Sequence, residues 1–396
     1  MRAVMRAVDI LAQSYQRQMS RPVYLDNSST TAVAKEVLDE MLPFFSEDYG
    51  NPSSIHSMGD KAAKAISFAR KRIASALNCR PSEMIFTSGG TESDDLALIG
   101  TVANTGRKKI ITSSVEHSAI LETCQHLRSR GYEVIVLPVD REGRVSADDL
   151  ADAIDKDTAL VSVMTANNVI GTIQPIRELA KTAHDHGALF HTDAVQAFTK
   201  TDIDVSRDGI DMLSLSGHKI HGPKGVGALY VRSGVEISPM MFGGGQERGI
   251  RSSTENVPGI VGLGKAAELA MSTMNGDVKR MEKLRNTIMN ETLSIKDSYL
   301  NGPREGRICS NAHFGFRGVK GNDLVLALNK MNIMVSAASA CSAGSTEPSH
   351  VMTAIGRTPE EAMSSLRISL SRYTSAEDVD HLLNSLPSAV SSLRRQ

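Results

Sequence analysis

A lysine at the end of a predicted strand is the residue of this chain best placed for covalent chemistry. Lys219 lies in a loop rich in Gly, Pro and His, after the apolar run 211–215, and Asp193 follows another apolar stretch. Pyridoxal phosphate requires such a pair, since the amine forms a Schiff base and the acid keeps the pyridine nitrogen protonated. A solvated surface lysine is the alternative, but the buried-looking strand before it argues against this. The pair predicts an enzyme of amino-acid chemistry.

A second motif predicts where the phosphate of such a cofactor binds. Residues 84–98 have the pattern of a strand, a Gly-rich turn and a helix. Backbone amides around Gly90 would then face an anion at the helix N-terminus, and Thr91 would add a hydroxyl. Ser216 and His218 flank the lysine and can donate to the same phosphate. An ordinary capped helix has a similar pattern, but the lysine motif favours the phosphate site.

The remaining histidines suggest one more candidate and no metal site. His117 follows the apolar run 109–114 and can stack on the cofactor ring and transfer protons near neutral pH. A lone histidine at such a place is also common as a plain loop residue. His184, His186 and His191 are close in sequence, but the first two fall in a predicted last helical turn. Because no carboxylate or cysteine completes a recognisable ligand set, we predict no metal there.

Composition narrows the class of protein. The 396 residues carry a formal net charge of −1, so no summed field favours nucleic acid or anionic lipid. The four cysteines lack the paired spacing of a disulfide scaffold or zinc module, which fits a reducing compartment, and we expect a cytoplasmic protein. The longest uncharged stretch near the middle of the chain, 159–176, contains Asn and Gln side chains that are costly in lipid, so no membrane span is predicted.

The order of elements predicts how these residues are positioned. Apolar runs rich in β-branched residues alternate with helical patterns, which indicates an α/β fold with a mostly parallel sheet between two helix layers. Ligand sites of such sheets lie beyond the carboxyl ends of the strands, where the candidate residues fall. The predicted strands are 84–87, 109–112, 133–137, 159–164, 188–191, 212–215 and 226–231, with helices at 61–77 and 175–184.

The chain is long enough for one large and one smaller domain. We predict an N-terminal extension over 1–20, a large cofactor-binding domain over 21–277, whose first residues can pack on the small domain, and a small α+β domain over 278–396. A helix that starts near Val257 and ends near Ser294 would join the two. The basic N-terminal stretch also has features of an organellar transit peptide, and a short extra helix or start-site extension is favoured.

With these motifs placed, the chain closely resembles the cysteine desulfurases of the NifS/IscS kind, in the class V aminotransferase superfamily of pyridoxal-phosphate enzymes. The resemblance covers nearly the whole chain beyond residue 20. Its motifs lie at 24–31, 50–56, 87–94, 116–117, 167–168, 193–196, 216–219, 245–254, 339–342 and 364–370.

The resemblance implies a role for each matching residue. It implies that Lys219 forms the Schiff base and that the large domain is aspartate-aminotransferase-like. It implies that Asp193 pairs with the pyridine nitrogen, that Gln196 contacts the ring hydroxyl and that His117 stacks on the ring. It implies phosphate binding by Thr91, Ser216 and His218, joined by Thr254 from the second subunit of a homodimer. Asn168 and Arg367 are the residues implied to hold the substrate carboxylate. A bidentate guanidinium suits a carboxylate better than a lysine does.

Cys341 is the residue that separates a desulfurase from other enzymes of this fold. It lies in a stretch rich in Gly, Ser and Ala, which predicts an exposed, mobile loop, whereas Cys79, Cys124 and Cys309 are expected to be buried and inert. The family motif implies that its thiolate attacks the sulfur of L-cysteine, leaving a persulfide and alanine. Sulfur-acceptor proteins, such as an iron–sulfur scaffold, would then receive the sulfur.

Other functions stay open at this point. A selenocysteine lyase or cysteine sulfinate desulfinase has the same cofactor chemistry, and a non-catalytic scaffold subunit of a sulfur-transfer assembly is an alternative of another class. Three positions also depart from the family pattern: Ala338 in the cysteine loop, Val169 after Asn168, and Ser253 where glycine is usual. Added side chains reduce backbone freedom, so these changes bear on loop mobility, substrate selectivity and the position of Thr254.

Overall fold

The structure, a computed structural model, describes residues 22–337 and 348–395. Its centre is a seven-stranded sheet in the order β2-β8-β7-β6-β5-β3-β4, in which β8 is antiparallel to both neighbours and the other pairs are parallel. The strands are β1 (Val23–Tyr24), β2 (Met84–Thr87), β3 (Lys109–Ser113), β4 (Glu133–Leu137), β5 (Thr158–Ser162), β6 (Leu189–Asp193), β7 (Met212–Ser216), β8 (Gly227–Val231), β9 (Ser298–Leu300), β10 (Asn311–Phe316), β11 (Ile333–Met334) and β12 (Ser365–Ser369).

Helices cover both faces of this sheet. Consecutive residues of one strand enter different cores, for example Ile110 and Ile111, or Met212 and Leu213, because side chains alternate across a strand. The helices are α1 (Lys35–Met41), α2 (Pro43–Ser46), α3 (Ser57–Leu77), α4 (Gly90–Thr105), α5 (Ser118–Ser129), α6 (Ala147–Ala153), α7 (Ile176–Asp185), α8 (Val257–Leu293), α9 (Gly321–Asn329), α10 (His350–Ala354), α11 (Pro359–Met363) and α12 (Ala376–Arg394). The predicted α/β class with a mostly parallel, helix-covered sheet is confirmed.

The C-terminal part has separate, smaller sheets. Strands β12, β10 and β9 form an antiparallel sheet, and β11 pairs in parallel with β1 from the other end of the sequence. Residues 22–34 therefore run from this pair toward the large sheet. The domain boundary near residue 277 falls inside helix α8 and stays a prediction, and the predicted extension over 1–20 lies outside the described residues. No helix in the described ranges is long and apolar enough to span a bilayer.

Candidate active site

Two adjacent parallel strands bring the predicted lysine and carboxylate together. Strand β6 ends at Asp193, and β7, which pairs with it through Asp193 and Ser214, ends at Ser216. A single 3-10 turn, Gly217–Lys219, then carries Lys219 over the same sheet edge. Because both strands run in one direction, their carboxyl ends meet there, as the pattern predicts.

The Lys219 amine is held by main-chain oxygens from the N-terminal segment. Its Nζ donates to Ser28 O at 2.6 Å and to Ser29 O at 2.8 Å. The Gln196 amide also donates to Ser28 O, at 2.8 Å. The stretch 26–31, which we call the N-terminal strip, therefore lines the lysine and the glutamine together. Motif spacing alone does not reveal this contact, because the strip is about 190 residues away in sequence.

Asp193 is a buried carboxylate with cations nearby. Its Oδ1 accepts the backbone N–H of Val195 at 2.8 Å, which fixes the carboxyl group at the strand end. Burial raises the pKa of Asp193, and the neighbouring charges of His117 and Lys219 oppose that shift. His117 and Lys219 thus both lie within electrostatic reach of this carboxylate. A cationic ring nitrogen placed here would restore the ionised form.

The glycine turn before helix α4 packs tightly against this edge. A Cβ added at Gly90 would meet Val195 Cγ2 at 2.7 Å and Ser216 Cβ at 3.8 Å. The N-cap residue Gly89 contributes no capping side chain, and Thr91 at the helix start is exposed. The first-turn amides are therefore not used by a capping side chain and can bind an anion. The structure thus brings Gly90 and Ser216 together as predicted.

His218 is neutral and faces the N-terminal strip. Its Nδ1 lies 3.1 Å from Thr30 Oγ1, and its main-chain oxygen accepts both the N–H and the hydroxyl of Thr31 at 2.9 Å. Burial, followed by the charge of Lys219, lowers the pKa of His218 to about 4. At neutral pH this imidazole can serve a phosphate as a hydrogen-bond donor but not as a cation.

The position of His117 fixes its tautomer. The residue is the N-cap of helix α5, and its Nδ1 accepts the Ala119 N–H at 3.1 Å. When the ring is neutral, its proton is therefore on Nε2. The structure assigns His117 a defined orientation, in contrast to the plain loop residue that the sequence also allows.

Arg367 lies deep in the protein and already has partners. Its guanidinium donates to Asp26 Oδ1 at 2.8 Å, Ser29 Oγ at 2.7 Å and the main-chain oxygen of Asn168 at 3.0 Å. Its Nε has no hydrogen-bond partner. The two residues expected to hold the substrate carboxylate are thus in contact, and the contact involves the backbone of Asn168. A carboxylate here would share the guanidinium with Asp26.

Thr254 and Cys341 complete the set of predicted residues. Thr254 is exposed, on a loop where Ser253 has a φ of 106°. That conformation suits glycine, which explains the glycine that is usual at this position and shows that the serine here is strained. Cys341 and its loop lie outside the described residues. Among the described cysteines, burial raises the pKa of the Cys79 and Cys124 thiols to about 12 and that of Cys309 to about 11.

Sequence reasoning missed a group of buried acids behind this site. Asp94 of helix α4 and Glu116, just before His117, are both 1% exposed. Glu116 accepts the Met164 N–H at 3.0 Å, and burial raises its pKa to about 8. Both residues belong to motifs of the family resemblance, but an acid's burial depends on which helix covers the sheet. Within residues 22–337 and 348–395, no cluster of His, Cys, Asp and Glu side chains is arranged to hold a metal ion.

Replacement of Glu116 by glutamine is expected to stabilise the protein at alkaline pH. Between the ordinary Glu pKa and about 8 the folded state holds a proton that the unfolded state has lost, so wild-type stability falls as pH rises through this range. A neutral isostere avoids this loss, which is on the order of 2–4 kcal/mol at about pH 9. Denaturant unfolding near pH 9 and near pH 4 measures it.

The unfolding free energies of Glu116→Gln and wild type are expected to be similar near pH 4, because residue 116 is neutral in both proteins there. The exposed variant Glu360→Gln is the matched control and should show no such gap. Equal stability of Glu116→Gln and wild type at both pH values would contradict a protonated Glu116.

Known proteins that resemble this chain in sequence and in fold agree with this geometry. The sequence pattern of the aminotransferase class-V family matches residues 23–382. A cysteine desulfurase IscS of Methanosarcina thermophila is 50% identical over 95% of this chain and 93% of its own length, and one of Dictyoglomus turgidum is 48% identical over 95% and 96%. A solved NifS-like protein superposes with a TM-score of 0.89 at 38% identity, covering 94% of this chain and all of its own. The chain therefore belongs to the class V aminotransferase family, among the cysteine desulfurases of the NifS/IscS kind.

Proposed function

We propose that this cysteine desulfurase holds pyridoxal phosphate on Lys219 and transfers the sulfur of L-cysteine to Cys341. One observation carries the cofactor half of the proposal: Lys219 and Asp193 leave adjacent parallel strands beside a glycine-cradled helix N-terminus. Family membership supports the sulfur half. A yellow chromophore that shifts on addition of cysteine, together with formation of alanine, tests both.

The residues at the sheet edge fit the cofactor. A Cβ at Gly90 would clash with Val195 Cγ2 at 2.7 Å, so the glycine lets the helix start lie close to the end of β6, where its first-turn amides have no capping side chain and can bind a phosphate. Thr91, Ser216 and His218 add donors around that turn, and Gln196 faces the strip beside Lys219. When bound, the cofactor supplies an electron sink for bonds at the substrate Cα. Asp193 keeps that sink effective because a buried carboxylate favours a protonated ring nitrogen.

Lys219 and Cys341 divide the chemistry between them. With the cofactor bound, the Lys219 amine would take the Cα proton of the substrate, and His117, with its proton on Nε2, would lie against the cofactor ring. The Cys341 thiolate then attacks the substrate sulfur, so an S–S bond forms while the Cβ–S bond breaks. That electron pair stays with the substrate carbon, which is protonated and leaves as alanine. The persulfide carries the sulfur to an acceptor.

Arg367→Lys is expected to raise the KM for cysteine about 10- to 100-fold, a loss of roughly 1.4–2.8 kcal/mol. A lysine keeps the charge opposite Asp26 but cannot offer paired, planar N–H donors to a carboxylate. Steady-state kinetics with cysteine measure the change, and Asp26→Asn is the matched control, because it frees the guanidinium and should not raise KM. An unchanged KM for Arg367→Lys would contradict the assignment.

We further propose a homodimer in which Thr254 completes the phosphate site of the partner subunit. Thr254 is exposed, and the same loop region presents large apolar side chains, with Phe242 83% and Met241 44% exposed. Ile55, Tyr49 and Phe45 are also exposed on this chain. Exposed apolar groups of this size are typical of protein interfaces.

Phe242→Asp is expected to dissociate the dimer, because a desolvated charge opposes burial of the apolar loop. Sedimentation velocity of the purified protein measures the mass, and cofactor absorbance should weaken with loss of the second subunit's Thr254. The exposed variant Phe68→Asp, on helix α3, serves as the control. A dimeric Phe242→Asp protein with full absorbance would argue against this interface.

The remaining assignments complete the proposal. Three free thiols, Cys79, Cys124 and Cys309, are compatible with a reducing compartment, and we place the enzyme in the cytoplasm. Sulfur acceptors such as an iron–sulfur scaffold are proposed from the family. We retain a large domain to residue 277 and a small domain after it, and Cys341 belongs to the small one.

A further inference from the structure

A buried polar cluster lies behind Asp193, on one face of the central sheet. The His191 ring bridges two strands, with Nδ1 2.8 Å from Ser162 Oγ and Nε2 3.0 Å from Ser214 Oγ. The same Nε2 lies 3.8 Å from Asp94 Oδ1. These side chains, together with Asp193, form what we call the subsite cluster. Its position suggests an influence on the carboxylate that serves the ring nitrogen.

The fold places these groups on one side of the sheet. His191 and Asp193 are two residues apart on β6, so their side chains point to the same face. Ser214 of β7 is the register partner of Asp193 of β6. Helix α4, which begins at the phosphate turn, packs over β5, β6 and β7, and Asp94 is its fifth residue. The helix that is proposed to bind the phosphate thus also carries a second carboxyl group to the site.

The surroundings of Asp94 disfavour its charge. The residue is 1% exposed and its Oδ1 has no hydrogen-bond partner. Burial raises the pKa of Asp94 well above its ordinary value, and the charges of Asp193, Glu116 and Asp95 act in the same direction, while the Ser214 hydroxyl opposes them. Burial also lowers the pKa of His191 to about 3, so this ring is no counter-cation. A proton is the remaining way to neutralise the group.

We propose that Asp94 is a positioning residue, a carboxylic acid that stays protonated in the working enzyme and leaves the negative charge of the Asp94–Asp193 pair on Asp193. The inference rests on the proposed function in one respect, since it assumes that Asp193 serves the ring nitrogen. Two buried carboxylates within electrostatic reach of each other cannot both ionise at low cost, because the charge on one opposes the charge on the other. Asp94 therefore takes the protonated role and His191 the neutral one.

The test is infrared spectroscopy of the full-length purified protein, grown with aspartate labelled with carbon-13 in its side-chain carboxyl. Near neutral pH ordinary aspartates are ionised, so an isotope-shifted carbonyl band of a protonated acid reports buried aspartic acid alone. Wild type is expected to show such a band and Asp94→Asn to lose at least half of it. The exposed variant Asp185→Asn should keep all of it. An Asp94→Asn spectrum identical to wild type would overturn the proposal.

Coupling to Asp193 gives a second readout that a merely structural role would not move. Asp193→Asn removes a neighbouring charge, so the alkaline midpoint of the Asp94 band should fall by about one pH unit, a tenfold change in the proton equilibrium. Ser214→Ala removes a hydroxyl that favours the ionised form of Asp94, so it should raise the midpoint. This variant leaves Asp94 itself unchanged. Midpoints that do not move in either variant would refute the coupling.

These outcomes are separable from the cofactor proposal. A protein that binds pyridoxal phosphate on Lys219 but has no acid band from Asp94 would sink this inference and leave the proposed function intact. A protein with the band but without a cofactor chromophore would keep the protonated Asp94 and would sink the proposed function.

Discussion

Lys219→Ala is expected to abolish the cofactor chromophore and to lower cysteine turnover by a factor on the order of 10⁴ or more, as removal of a covalent catalytic group does. The position fixed by the 3-10 turn after β7 would then lack its amine. The absorbance spectrum and alanine formation measure the loss. The fold should persist, because Lys219 is not a core side chain and its Nζ donates to the main-chain oxygens of Ser28 and Ser29.

A second lysine nearby makes this experiment decisive. Lys200 Nζ contacts the main-chain oxygens of Gln196 and Lys219 at 3.2 and 3.3 Å, and burial lowers its pKa to about 8. It shares with Lys219 the lining of a cavity of about 30 Å³. A low pKa is what a Schiff-base lysine needs. We expect Lys200→Met to keep the chromophore; a spectrum lost in Lys200→Met and kept in Lys219→Ala would reverse the assignment.

Cys341→Ser is expected to reduce alanine formation from cysteine by a factor on the order of 10³ or more while leaving the chromophore in place. A serine hydroxyl is not ionised near neutral pH and does not accept sulfur as a thiolate does. Mass spectrometry should find one added sulfur on the peptide that contains Cys341 in wild type, and none there in the variant. Full alanine-forming activity of the variant would disprove the nucleophile.

The described cysteines provide matched controls for that variant. Cys124 and Cys309 are buried thiols whose pKa burial raises, so neither supplies a thiolate near neutral pH. Cys124→Ala and Cys309→Ala should therefore keep the sulfur on Cys341. Persulfide found on Cys309 instead would identify a different acceptor.

Substrate comparison separates the desulfurase from its enzymatic alternatives. Cysteine sulfinate can lose its Cβ substituent as sulfur dioxide with the electron pair left on carbon, so this compound and selenocysteine test whether a thiolate attack is needed. If turnover of these two compounds persists in Cys341→Ser while cysteine turnover is lost, Cys341 serves sulfur transfer specifically. A wild-type enzyme that processes selenocysteine and ignores cysteine would instead be a selenocysteine lyase.

Local patterns predicted the part of the site that strand ends create. Asp193, Ser216 and Lys219 follow apolar runs that do form adjacent parallel strands, and Gly90 does begin a helix. Such runs are informative because a strand buried on both faces is continuously apolar. The helix that starts at Val257 was predicted for the same kind of reason, since its apolar spacing is regular.

Long-range contacts account for what the sequence did not reveal. The strip around Ser28 has no periodicity, yet it supplies the acceptors of Lys219 and Gln196. Asp94 is an acidic residue of a sequence motif, and its burial results from the packing of helix α4 on the sheet. Arg367 was predicted as a substrate ligand, but its bond to Asp26 joins residues 341 positions apart, and no local pattern encodes such a pair.

The same strip sets the order in which the enzyme can mature during synthesis. Ser28 and Ser29 leave the ribosome early, their lysine partner follows about 190 residues later, and the guanidinium that binds Asp26 comes near the end. Contacts so distant in sequence form late. The strip therefore cannot hold both its lysine and its arginine partner until translation has passed β12, so the site is completed only near the end of synthesis.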